Sequence, residues 1–108
     1  MAFFEIDKYV CFAIARPTGG YREAIRLYDA SGSKVADLRF TNDTISPPSE
    51  GAYGTYILYY TREEYADVLD MLRNEKPVYF WWGGEGNLSY LRTGLEGVGE
   101  GEIDLFED

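Results

Sequence analysis

Cys11 is the single thiol of a 108-residue chain that contains no histidine. A thiolate nucleophile needs a base, a cation or a helix N-terminus beside it, and Cys11 stands between Val10 and Phe12 in an apolar run. It therefore reads as a core residue. One thiol gives no internal disulfide framework and no zinc knuckle. Without imidazole there is also no charge switch near neutral pH. Glycines 83, 84 and 86, and again 94, 97, 99 and 101, invite a phosphate-loop reading. Such cradles feed a helix and usually carry a Lys; neither cluster does, so a turn and a tail are the better reading. Glu96, Glu100, Glu102 and Asp104 lack the ligand alternation of a calcium loop. Two carboxylates doing acid–base work would have to converge in a cleft. Glu63 and Glu64 are committed to a helix start, and Asp67 and Asp70 to its wet face. Glu23 with Asp37 across a hairpin stays open, beside the plainer reading of charge pairs with Arg22, Arg26 and Arg39. No catalytic residue, metal site or cofactor is assigned, and the chain reads as non-enzymatic.

The aromatic residues carry the remaining chemistry. They make up 17% of the chain, and ten are Tyr. Tyr and Trp join an apolar body to a polar tip, which suits a cleft or the centre of an interface. Tyr56, Tyr59, Tyr79, Trp81, Trp82 and Tyr90 form the main set, with cross-strand packing as the plain alternative. Trp81 and Trp82 must point to opposite faces of one strand. Val78 and Phe80 share the Trp82 face and match core against Leu69 and Leu72. The Tyr79/Trp81 face is then the one turned to solvent or a partner. Tyr59, Tyr79, Trp81, Tyr90 and Arg92 are the candidate binding or interface residues.

Alternation and turn residues give the elements that must position them. Ile6 to Arg16 is a first strand, broken by Pro17 to Gly20. Tyr21 to Tyr28 is a second, with Tyr21, Ile25 and Leu27 on one side, and Lys34 to Thr41 a third, with Ala36, Leu38 and Phe40 together. These three form a meander. Residues 42–54, with the Pro47-Pro48 pair, are irregular, and Thr55 to Tyr60 is a fourth strand. Thr61-Arg62-Glu63-Glu64 is a capping box. Tyr65, Val68, Leu69 and Leu72 follow at helical spacing, and Pro77 stops the run, so the helix covers about 62–75. Val78 to Trp82 and Leu88 to Thr93 are the fifth and sixth strands. The fold class is α+β: a mainly antiparallel, strongly curved sheet of about six strands with one helix between strands four and five. Residues 1–93 form a single domain, and 94–108 an acidic, glycine-rich tail.

Six strands make a sheet roughly 29 Å across, and one helix about 10 Å thick covers about two of them. The first, fourth and fifth strands are apolar on both faces. Either the sheet curls into a half-barrel or a second copy covers the open face. Charge bears on the choice of partner. Of the formal net charge of −9, residues 1–92 hold ten bases and thirteen acids, and residues 93–108 hold six acids and no base. Such a tail disfavours nucleic acid and anionic membrane as partners. The early apolar stretch Tyr9 to Ala15 is short and follows Glu5 and Asp7, which fits neither a signal peptide nor a membrane span, so a cytoplasmic location is expected. The expected function is a small interaction module, a homodimer through the Tyr/Trp face or a binder of another protein. The alternatives are an acidic decoy for a basic partner and a small-molecule or carbohydrate site, binding or enzymatic, in a half-barrel mouth.

Overall fold

Alternation begins at the second residue. The computed structural model describes residues 2–15, 20–95 and 97–98. In β1 (Ala2–Ile6), Ala2, Phe4 and Ile6 are half-buried while Phe3 and Glu5 are exposed. At Asp7, whose amide donates to the Tyr28 carbonyl at 2.9 Å, the chain leaves one sheet and enters another as β2 (Lys8–Ala13). The single strand expected over Ile6 to Arg16 is thus two strands in two sheets. The other strands are β3 (Tyr21–Tyr28), β4 (Lys34–Thr41), the short β5 (Ser49–Glu50), β6 (Tyr56–Thr61), β7 (Val78–Trp82) and β8 (Tyr90–Thr93). One 3-10 turn, Arg62–Glu64, leads into α1 (Tyr65–Asn74). The Glu64 carboxylate accepts from the Thr61 amide at 2.9 Å, as the capping box requires, and also from the Thr61 hydroxyl at 3.0 Å.

The strands form a five-stranded sheet, β2-β3-β4-β6-β5, and a three-stranded sheet, β1-β7-β8. Neither is closed, which corrects the half-barrel and the count of six strands. The meander β2-β3-β4 is antiparallel as expected, but β6 lies parallel to β4. A parallel neighbour needs a crossover of about a dozen residues, and the irregular segment after β4 supplies it. That segment is latched to the β7–β8 turn: the Gly86 amide donates to the Pro48 carbonyl at 2.9 Å. Gly83 in that turn has no room for a side chain, since a Cβ would sit 2.0 Å from the Leu88 carbonyl oxygen.

The two sheets and the helix share one core. Ile25, Leu27, Ala36, Leu38, Phe40 and Leu58 face inward from the large sheet, and Phe80 and Trp82 from the small one. Val68 of α1 joins them, with Tyr65, Leu69 and Leu72 packed alongside. Tyr56 is the joint between the sheets. Its ring stacks 5.8 Å from Phe80 and 4.6 Å from Trp82, and Phe4 tilts against it at 6.0 Å. On the helix side Phe40 meets Tyr65 edge-on at 5.0 Å and stacks on Tyr60 at 5.5 Å. Cys11 is not part of this core; it is exposed, on an edge strand of which only Tyr9 is half-buried. Of the expected tail, Leu95 and Val98 are fully exposed, and residues 99–108 lie outside the described residues. Among the described residues no helix is long and apolar enough to cross a membrane.

Phe40 is 0% exposed, so Phe40→Ala is expected to lower stability by about 3–5 kcal/mol in urea unfolding. Burial, and secondarily the Glu64 charge, push the Tyr60 phenol from 10.0 up to about 12. Its folded value lies above its unfolded one, so its contribution is full below pH 10 and is lost on the way to pH 12. The expected slope is about 1.4 kcal/mol per pH unit. Ultraviolet tyrosinate titration should show a component ionising near pH 12, and Tyr60→Phe should remove that component.

Candidate functional site

The small sheet turns three rings outward in one row. The register sets Phe3 beside Trp81 and Trp81 beside Tyr90, one from each strand. The next outward row is Glu5, Tyr79 and Arg92. Phe3 stacks on Tyr79 at 4.9 Å, Trp81 lies 6.5 Å from Tyr90, and the Arg92 guanidinium sits 5.6 Å from the Tyr79 ring centre. Phe3 is 51% exposed and Tyr90 36%, so the rings are open to solvent at both edges. Val78, Phe80 and Trp82, on the opposite face, are buried. The two faces of β7 therefore divide as the alternation predicts. Among the described residues neither Glu5 nor Arg92 takes part in an ion pair.

Tyr59 does not belong to this group. It lies on the outward face of the large sheet, where its hydroxyl accepts from Arg39 Nη1 at 3.1 Å. This second face is polar. Asp37, 7% exposed, binds Arg26 through Oδ1 at 2.9 Å and Lys34 through Oδ2 at 3.2 Å. The carboxylate, through its hydrogen bond to Arg26 above all, holds that guanidinium more firmly charged than usual. Arg39 sits 4.8 Å from the Tyr21 ring centre and 5.9 Å from that of Tyr59.

No family model, curated protein or solved structure matches the chain. What either face can do is read from its own residues.

Glu23 and Asp37 do not meet. The register puts Glu23 opposite Phe40 and Asp37 opposite Arg26, on different faces of the sheet. Glu23 instead takes Arg62 in a two-pronged pair at 2.8 and 2.7 Å. The acid–base couple is replaced by ion pairs, one of them with an arginine that the sequence had not paired. Cys11 lies beside Tyr65, whose phenol is raised by burial first and by the thiol second. Gly83 to Asn87 join two strands and feed no helix.

Sequence reasoning missed four residues. Phe3 and Glu5 carry a period-two signal that was available, since Ala2, Phe4 and Ile6 alternate with them. Tyr21 and Lys34 had no such signal. Register shifts between Tyr21 and Glu23, and between Leu27 and Tyr28, set Tyr21 opposite Thr41 and Lys34 opposite Tyr28. A bulge re-aims the residues beyond it. Tyr21, expected with Ile25 and Leu27, therefore lies on the opposite face, against Arg39.

Asp37→Asn is expected to lower stability by about 1–3 kcal/mol, because it leaves two partly buried cations without their carboxylate. Combined with Arg26→Gln, the loss should be smaller than the sum of the single losses. A double-mutant cycle from urea unfolding measures that coupling.

Proposed function

We propose that the chain is a self-associating interaction module whose small sheet pairs with that of a second copy. The observation that carries this reading is the placement of charge about the aromatic row. Glu5 and Arg92 occupy the two edge strands at one level, with Tyr79 between them. A two-fold axis parallel to β7 exchanges the edges, so β1 of one copy lies over β8 of the other. Glu5 then meets Arg92 of the second copy, twice, and Phe3 meets Tyr90. Trp81 and Tyr79 lie next to the axis, where each faces itself. An isologous contact needs this self-complementarity, and sheets packed face to face sit about 10 Å apart. The face carries no net charge in a chain of −9, so association does not set like charges against each other there.

Three strands span only about 14 Å. The pairing therefore belongs at the small end of interface sizes, with a micromolar or weaker dissociation constant. Multi-angle light scattering across a concentration series up to submillimolar protein should show a monomer–dimer equilibrium. Glu5→Arg and Arg92→Glu should each weaken it by roughly tenfold or more, since each sets like charges together twice. Mixing the two variants should restore it, because the mixed dimer has opposite charges at both contacts. A wild type that stays monomeric throughout overturns the proposal. So does a dimer indifferent to both substitutions and lost on Phe12→Glu, which would place the contact at the β2 edge.

A further inference from the structure

The outward face of the large sheet is built differently, and its residues have no part in the pairing just described. Three cations gather there about one carboxylate: Arg26 and Lys34 pair with Asp37, and Arg39 lines the same depressions. Both Asp37 oxygens are taken by Arg26 and Lys34, so Arg39 has no share in it. One positive charge is neutralised and two remain, on a chain whose formal charge is −9. Among the described residues no acid pairs with Arg39; its Nη1 donates to the Tyr59 hydroxyl, and its plane lies against two phenol rings. Its Nε and Nη2 make no side-chain hydrogen bond among those residues. A half-buried guanidinium without a counter-ion carries a desolvation cost that an arriving anion offsets.

The surroundings give that anion a place. A depression of about 600 Å³ is lined by Lys34, Arg39 and the paired Asp37, by Ser33 and Thr55, and by the apolar Ile57 and Ala52, with the exposed Tyr53 at its rim. This is within the usual range for small-molecule sites. Both register shifts of β3 against β4 serve the same spot: one turns Tyr21 onto Arg39, the other brings Lys34 to Asp37. Bulges concentrate next to functional sites because they re-aim side chains.

The geometry points to a binding site for a small organic oxyanion, a carboxylate or phosphate ester, held between Arg39 and Lys34 with its apolar body along Ile57 and Tyr53. Arg39 supplies the planar, two-pronged donor edge and Lys34 the compact charge. Asp37 positions Lys34 and Arg26.

Isothermal titration calorimetry and amide chemical-shift mapping test this with phenyl phosphate, benzoate, inorganic phosphate and phenol as probes. Phenyl phosphate or benzoate should bind with a submillimolar constant and shift amides in residues 34–39 and 51–57; the tighter of the two identifies the headgroup. Phenol should not bind, and inorganic phosphate should bind more weakly. Arg39→Gln, which keeps a donor for Tyr59, should weaken binding about tenfold or more, and Lys34→Gln severalfold. Lys34→Gln, at a half-exposed position, carries the test if Arg39→Gln fails to fold. Arg92→Glu should bind like the wild type, which separates this site from self-association. Absence of binding by both organic anions overturns the proposal, as do shifts mapping elsewhere, indifference to Arg39→Gln and Lys34→Gln, or equal affinity for inorganic phosphate.

Discussion

Tyr56 stacked against Phe80 and Trp82 is the contact on which the architecture depends. A strand apolar on both faces must be covered twice, and α1 packs against the large sheet through Tyr65 on Phe40. The rest of that inward face needs another cover. The small sheet supplies it by giving up one face, Val78, Phe80 and Trp82, and turning Tyr79 and Trp81 outward. Cover for one sheet is thus obtained by opening another. A chain of this size has no third layer with which to close the account.

The same balance explains what was legible in the sequence. The helix was, because the capping box at Thr61 and Glu64 and the stripe Tyr65, Val68, Leu69 and Leu72 are local signals that tertiary packing had no reason to override. The inward faces of β4 and β7 were also legible, since alternation alone assigns them. The division of the strands between two sheets was not. Ile6 and Lys8 look continuous in sequence, and only the contact of Asp7 with Tyr28 marks where the chain changes sheet. The parallel pairing of β4 with β6 depends on where a long loop delivers the chain, which composition does not encode. Cys11 was misassigned for a related reason: apolar neighbours suggest a core strand, but an edge position leaves one flank of the strand in water.

Register shifts matter most for the polar face. In an unbroken ladder Tyr21 would follow Ile25 and Leu27 to the inside, and Arg39 would lose one of its two rings. A shift of one residue reverses every side chain beyond it. The two irregularities of β3 against β4 therefore decide the chemistry of that surface while leaving Ile25, Leu27, Ala36 and Leu38 in the core between them. This part of the site was invisible to a period-two reading, because the reading assumes that the period holds.

The two outward faces also hold their basic residues differently, in a chain that is acidic as a whole. Arg92 stands level with Glu5 across the small sheet, so that face is neutral as a whole and complementary to itself. Arg26, Lys34 and Arg39 crowd around one acid, so the other face keeps an excess of positive charge that a copy of itself would repel. Field, not area, then separates the two faces: apolar rings with balanced charge suit a like surface, and uncompensated arginine suits an anion. Added salt should act on both, screening the uncompensated cations of one face and the Glu5 and Arg92 charges of the other. The difference in charge follows from where Arg26, Lys34, Arg39 and Arg92 lie, and it does not depend on what either face binds.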